Sequence, residues 1–349
     1  MKVFITGNMG YLGSVLTRFL RSKFNNIEII GYDTSFFGHV LTGAKFIPEH
    51  SVSIQHIGDI RSIKESMLEG IDAVVHLAGI SNDPIGNEFE KVTKNINQNA
   101  SVRLANIASS VGVKNFVFAS SCSIYGHASN KSRKETDLTN PLTAYAQSKI
   151  QTESELSNTN LGEMLFTSLR FATACGWSHR LRLDLVLNDF VACAISSGKI
   201  SVLSDGTPWR PLIDVEDMSR AITWAINRKK ENGGQYLTVN TGSNSSNYQV
   251  KEIAAAVANL IPNTSISINK KSLPDKRSYT VDFTLFETLA PEFKPIINLD
   301  ESICRLREGL ISMNFKDNNF RNSSFIRLNT LRDHIKEGRI DDNLYWKIF

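Results

Sequence analysis

The sequence is poor in the features that mark a metal, membrane or disulfide protein. Its four cysteines (Cys122, Cys175, Cys193, Cys304) are scattered over 349 residues and form no CxxC pair, which argues against a disulfide framework. Seven histidines occur without any HExxH-like spacing, so no metal-ligand pattern stands out. No apolar run nears the ~18 residues of a membrane helix. The run Val3-Phe4-Ile5 after Lys2 is broken at once by Thr6-Gly7-Asn8, too short for the apolar core of a signal peptide. Charge is nearly balanced, 39 Lys and Arg against 35 Asp and Glu for a net +4. The basic clusters at Lys131, Arg133, Lys134 and at Arg228, Lys229, Lys230 are short and lack interleaved aromatics, unlike a nucleic-acid surface. The expectation is a reduced, cytoplasmic setting with neither nucleic acid nor membrane as partner.

What is present is an ordinary globular composition, 41% apolar and 21% charged, long enough for two modest domains at roughly 100–200 residues each. Short β-rich runs at Lys2–Thr6, Ile27–Asp33, Val52–Ile57, Ala73–Ala78, Asn115–Ala119 and Met164–Phe171 alternate with stretches of helical period. Those stretches are Tyr11–Phe24, Phe89–Val111 and Ala144–Leu156. The alternation predicts βαβ units and a parallel sheet covered on both faces. Beyond about residue 172 the helical stretches Leu183–Ser197, Met218–Asn227 and Val250–Leu260 are separated by turn-rich loops. Asn314–Ser324 reads as loop, and Ile326–Phe349 has helical spacing. These patterns predict a first domain over 1–172, with a return segment near 212–242, and a second over 173–349.

Between the first strand and the first helix lies Gly7-Asn8-Met9-Gly10-Tyr11-Leu12-Gly13. Glycines at GxxGxxG spacing allow a tight turn and let a pyrophosphate approach backbone N–H groups at a helix N-terminus. Asp33 ends the second strand about 20 residues on, where a carboxylate can take hydrogen bonds from an adenosine ribose. The same carboxylate would repel a 2′-phosphate, and no Arg follows in Thr34-Ser35-Phe36-Phe37, so NAD is favoured over NADP. Asp59 and Ile60 follow the third strand, where Asp59 can bond an adenine amine. Leu77, Ala78 and Gly79 end the fourth strand and let a cofactor lie against the sheet edge.

Tyr145 and Lys149 stand four apart, on one face of a predicted helix. A phenol with a pKa of about 10 is a poor base at neutral pH, and a nearby ammonium favours its phenolate. Upstream, Ser120-Ser121-Cys122-Ser123-Ile124-Tyr125-Gly126 ends the fifth strand and brings hydroxyls to the edge of the sheet.

With GxxGxxG, HLAG, SSCSIYG and YAQSK in that order, the chain resembles the extended short-chain dehydrogenase/reductase family, in its nucleotide-sugar epimerase/dehydratase branch. The resemblance implies a Rossmann-like doubly wound parallel sheet with a smaller C-terminal α/β substrate-binding domain. It implies bound NAD, a nucleotide-diphosphate sugar as substrate and a homodimer formed through Phe89–Val111 and Ala144–Leu156. It makes Tyr145 the acid/base, with Lys149, Ser121 and Ser123 as its catalytic companions. Asn97 supports the site, and the cofactor also touches Ser120 and Phe171. Arg210, in Trp209-Arg210-Pro211-Leu212-Ile213-Asp214-Val215-Glu216-Asp217, and Arg277, after Pro274-Asp275-Lys276, meet the substrate diphosphate, as suits a planar guanidinium. Ser81 and Thr173 are expected sugar contacts.

The chain departs from this branch in places. Cys122 and Ser123 stand where the branch's 4,6-dehydratases carry an Asp-Glu pair, which disfavours dehydration. Thr173 stands where galactose epimerases have Asn, and Asp214 replaces the usual His. The expected reaction is reversible hydride transfer through a transient keto-sugar, oxidised at C4. A net nucleotide-sugar oxidoreductase (a 4-keto-sugar reductase or C4 oxidase) would use the same residues. A non-catalytic dinucleotide-binding regulator would have lost Ser, Tyr or Lys, and all three are present.

Overall fold

A computed structural model of the chain describes residues 1–127, 131–272 and 277–347. Strands β1 (Lys2–Thr6), β2 (Glu28–Asp33), β3 (Ile54–Ile57), β4 (Ala73–His76), β5 (Asn115–Ser121) and β6 (Leu165–Phe171) join a later strand, β10 (Tyr236–Thr241), in a seven-stranded sheet. Its order is β10-β6-β5-β4-β1-β2-β3, and every pairing is parallel. The chain runs outward from β1 to β3, then returns to β4 on the other side of β1. That reversal opens a crevice at the carboxyl ends of β1 and β4, the usual place for a ligand in such sheets.

The strands are apolar on both faces because both faces are covered. In β1, Val3 and Ile5 pack into one core and Phe4 into the other, as the two-residue period of a strand requires. One face carries α1 (Tyr11–Lys23) and α7 (Val215–Ile226). On the other lie α2 (Asp83–Glu88), α3 (Glu90–Lys94), α4 (Ala100–Ser110) and α5 (Ala144–Ser157).

A second lobe has its own core, in which Leu187, Phe190, Ile253 and Leu306 meet. It is built from α6 (Val186–Ser197), α8 (Val250–Leu260) and α10 (Leu299–Ser312), with two small sheets. One sheet pairs β8 (Lys199–Val202) with β12 (Ser265–Ile268). The other holds β7 (Thr173–Cys175), β9 (Trp209–Asp214) and β11 (Asn247–Gln249). The short α9 (Thr284–Leu289) packs near β10. The last helix, α11 (Arg327–Lys336), returns to the first lobe, where its Leu331, with Ile340 and Leu344, shares a core with Phe4 and Val74.

Two expected helices are shorter than their periodicity suggests. Phe89–Val111 is interrupted by a π turn at Asn95–Asn99, which frees the Asn97 carbonyl to accept from Ser101 at 2.6 Å and Thr152 at 3.0 Å. Ile326–Phe349 is helical only to Lys336. Gly338 takes a positive φ of 71°, and the chain doubles back so that Ile340 pairs with Trp346.

Candidate active site

A cavity of about 800 Å³ lies at the carboxyl edge of the large sheet and runs between the lobes, within the usual size of a ligand site. Its floor is the β1–α1 turn. Gly7 has a φ of +73°, and a Cβ there would stand 2.6 Å from Ala78 N. A Cβ on Gly13 would stand 2.5 Å from Asn8 Cα. Both positions need glycine because backbone crosses backbone. No side chain caps α1, so its first N–H groups and the positive end of its dipole remain available to an anion.

Most of the expected site residues meet in this one cavity. Gly7, Gly10, Tyr11, Leu12, Gly13, Asp33, Asp59, Ile60, Leu77, Ala78 and Gly79 line one end. Ser120, Ser121, Ser123, Tyr145, Lys149 and Phe171 line the middle, and Ser81, Thr173, Arg210 and Arg277 the other end. Two expected residues do not reach it. Met9 instead donates its N–H to Asp33 Oδ2 at 3.0 Å, tying the glycine turn to β2. Asn97 is buried behind the wall. It bonds Ile80 N at 2.7 Å, Ile80 O at 2.9 Å and Ser148 Oγ at 3.1 Å. Pro274, Asp275 and Lys276 lie outside the described residues.

Asp33 sits at the end of β2, and burial raises its pKa even though the N–H groups of Ser35 and Met9 hold its carboxylate. Asp59 lines the cavity, but its carboxylate is gripped by the Arg61 guanidinium, Nη2 to Oδ2 at 2.5 Å. Arg61 is fixed in turn by Asn343 O at 2.7 Å and Leu344 O at 3.1 Å. Adenine contact through Asp59 must therefore use the lone pairs that Arg61 leaves.

Helix α5 starts at Thr143, whose hydroxyl caps Ala146 N at 3.2 Å and donates to Asp83 Oδ1 at 2.6 Å. This fixes Tyr145 one residue into the helix and Lys149 one turn later. Lys149 Nζ donates to Ala119 O at 2.7 Å and stands 5.7 Å from the Tyr145 ring centroid. Burial pushes the phenol up to about 12, while a hydrogen bond with Ser121 pulls it down. Burial likewise lowers Lys149 to about 8, opposed by Glu153. A desolvated phenol beside a desolvated amine is poised to exchange a proton with a bound hydroxyl.

The site also contains groups the motifs do not announce. Arg182 is buried and pairs with Asp184, Nη2 to Oδ2 at 2.8 Å, while its Nη1 donates to Ser81 Oγ at 3.1 Å. Asn82 joins the same carboxylate at 2.5 Å. Asp83 pairs with Arg277 Nη1 at 2.5 Å, so an arginine that lines the cavity is held in place from the first lobe. The alternating Arg180, Arg182 and Asp184 were the available signal, but an isolated charged triplet looks like any surface loop. Asp214 is no ligand residue here. It caps α7 through Glu216 N at 2.9 Å and accepts from Ser302 Oγ at 2.7 Å.

The residues present suit a dinucleotide. The N-terminus of α1 at the glycine turn carries no side-chain cap, and the hydroxyls of Ser120 and Ser123 are buried at the cavity wall with no partner among the described residues. The sequence profile of the NAD dependent epimerase/dehydratase family matches residues 3–242. The chain belongs to this family. It is therefore an NAD-dependent enzyme of the nucleotide-sugar epimerase/dehydratase group. It is 28% identical over 238 residues to an uncharacterised UDP-glucose epimerase of Bacillus subtilis, covering 65% of this chain and 73% of that protein. It is 27% identical over 290 residues to the UDP-glucose 4-epimerase of Lactobacillus helveticus, covering 76% and 84%. The fold matches a UDP-glucuronic acid 4-epimerase from Bacillus cereus, solved with UDP-glucuronic acid and NAD. The TM-score is 0.75 at 20% identity, over 90% of this chain and all of that one. An NDP-hexosamine 5,6-dehydratase, TunA, matches with a TM-score of 0.75 at 21% identity, over 91% and 99%. The scaffold thus hosts more than one reaction. No helix among the described residues is long and apolar enough to cross a membrane.

Proposed function

We propose that this family member is a UDP-sugar 4-epimerase that works through a transient 4-keto sugar. The observation that carries the reading is the joining of the glycine turn, Ser121, Tyr145, Lys149 and two arginines in one cavity. The relatives' names point the same way. Bound NAD supplies a two-electron acceptor, and later a donor, beside the sugar. The chain's own groups handle protons and position. Tyr145 Oη takes the C4 hydroxyl proton as that carbon is oxidised and returns it on reduction. Lys149 stabilises the phenolate by its charge, and Ser121 orients the sugar oxygen. Arg210 and Arg277 hold the diphosphate, with Ser81 and Thr173 against the sugar. Enclosure between the lobes keeps water from the keto-sugar.

Dehydration is disfavoured by the surroundings of Cys122. Its thiol is fully buried, donates to Arg170 O at 3.1 Å and is pushed up by burial. It is no acid for a leaving hydroxyl. The test is incubation of purified protein with UDP-glucose, UDP-galactose and UDP-glucuronate without added cofactor, followed by proton NMR. The expected result is a C4 epimer with no accumulation of reduced nicotinamide. Turnover only with stoichiometric NAD or NADH would instead mark a net oxidoreductase.

A further inference from the structure

Arg327 opens α11 and lines the same cavity. It is 2% exposed, yet its Nη1 has no hydrogen-bond partner among the described residues. Nη2 donates to Arg180 O at 2.9 Å, and the guanidinium lies 4.2 Å over the Phe37 ring. Its buried neighbours are each matched to a carboxylate, Arg180 to Glu49 at 3.0 Å and Arg182 to Asp184 at 2.8 Å. Arg327 has no such partner among the described residues. Asp184 and Asp33 are near, but Asp184 is already held by Arg182 and Asn82, and both oxygens of Asp33 accept backbone N–H groups. Burial, with Arg182 and Arg180 close by, drives the Arg327 guanidinium down to about 9. A buried cation without a counter-ion opposes folding, so the compensating anion should arrive with a ligand.

The place of Arg327 narrows the choice of anion. Phe37 and Asp33 belong to the end of β2 and the loop after it, on the dinucleotide side of the cavity. The C-terminal segment that carries Arg327 is fastened to that same loop. Trp346 Nε1 donates to Thr34 O at 2.6 Å, and His334 Nε2 meets Phe36 O at 2.8 Å. The far end of the cavity has its own arginines, Arg210 and Arg277. A phosphate on the ribose 2′ oxygen would meet the Asp33 carboxylate.

We propose that Arg327 is a cofactor-binding residue that pairs with the diphosphate of the dinucleotide, brought to it by the C-terminal segment folding back over the first lobe. This rests on the dinucleotide reading of the cavity. It gives the segment after residue 326 a role in holding the cofactor, and it makes cofactor and C-terminal packing mutually stabilising.

The test uses the full chain stripped of nucleotide. Wild type, Arg327→Gln and Arg327→Lys are melted without ligand and titrated by calorimetry with NAD, ADP-ribose, adenosine, NADP and UDP. Arg327→Gln should melt at or above the wild-type temperature. It should bind NAD and ADP-ribose roughly 10- to 100-fold more weakly, the worth of a charge-assisted hydrogen bond. Adenosine and UDP should bind it as they bind wild type, and Arg327→Lys should recover part of the NAD loss. Unchanged NAD affinity overturns the proposal. So does a loss confined to NADP, which would assign the 2′-phosphate, or to UDP, which would assign the sugar nucleotide. A Gln variant that melts lower and loses every ligand, or does not fold, also overturns it, because it makes Arg327 a structural residue. Wild type failing to bind NAD at all would be a different result, and would contradict the dinucleotide reading itself.

Discussion

Tyr145 and Lys149 are both shifted by burial, and in opposite senses. Desolvation keeps the phenol protonated and lets the amine lose its proton more easily. Replacing Tyr145 with Phe keeps the ring packing and removes the proton carrier. Turnover should fall by about 10²–10⁴-fold, with NAD affinity by fluorescence titration unchanged. Near-normal turnover would refute the assigned base. His76 offers a second test. It is buried between Thr6 Oγ1 and Ser101 Oγ, each 2.7 Å from a ring nitrogen, and burial lowers it from 6.5 to about 3. Above about pH 6.5 the ring is neutral in both folded and unfolded chains. As pH falls from there towards 3, the unfolded chain takes a proton that the native site refuses. Stability is therefore lost on acidification, at up to about 1.4 kcal/mol per pH unit. In urea unfolding, the advantage of wild type over His76→Asn should shrink across that window. A gap that stays constant would contradict the neutral buried ring. At this scale Tyr145, Lys149 and the glycines were legible because their chemistry forces a spacing. Asp83 and Arg327 were not, because their partners are 194 and 147 residues away in the chain, and Arg182 was not, because its contact with Ser81 in the cavity spans 101 residues while its pair with Asp184 looks like any local ion pair.

The β1–α1 turn is the element on which the proposed cofactor site rests. Its glycines answer to steric need, so Gly13→Ala drives a Cβ against Asn8 and Gly7. A loss of about 1–3 kcal/mol from overpacking is expected, seen as a lower melting temperature together with weaker NAD binding. An alanine variant that matches wild type in both would show that the turn has slack. The first six strands were readable to within a residue or two, since apolar runs bounded by turn residues have few alternatives, but β7 to β12, the sheet strand β10 among them, were not read as strands. The π turn at Asn95–Asn99 was hidden. One inserted residue barely alters the apolar period, and its cause is the packing of Asn97 against Ile80 and Ser148. The end of α11 was hidden too, because apolar residues beyond Gly338 serve a reversal rather than a further turn of helix.

In the whole molecule, residues 215–241 return to the first lobe partway through the second lobe and residues 327–347 return after it, so the two lobes are tied by several crossings of the chain. The alternation of strands and helices made the parallel sheet legible, but it gave no sign that the last segment would close over the β2 loop. The expected homodimer through α3, α4 and α5 finds little support in their outer faces. These carry Lys91, Lys94, Asn95, Asn99, Arg103, Gln147, Gln151 and Glu155, and none of the large apolar side chains exposed among the described residues lies there. Stable dimers usually bury an apolar seam. Sedimentation velocity at micromolar concentration tests the expected homodimer: a dimer persisting on dilution would support it, and the mass of a single chain would contradict it.

The central claim is that a hydride leaves C4 of the sugar and comes back within one enclosed site while Tyr145 shuttles the hydroxyl proton. The direct measurement is the fate of deuterium placed at C4 of a UDP-sugar that the enzyme turns over in ordinary water. The account predicts an epimer that keeps the label at C4, and turnover slowed by about 10²–10⁴-fold with Tyr145→Phe. Loss of the label to solvent, or its stoichiometric transfer to exogenous cofactor, would contradict it.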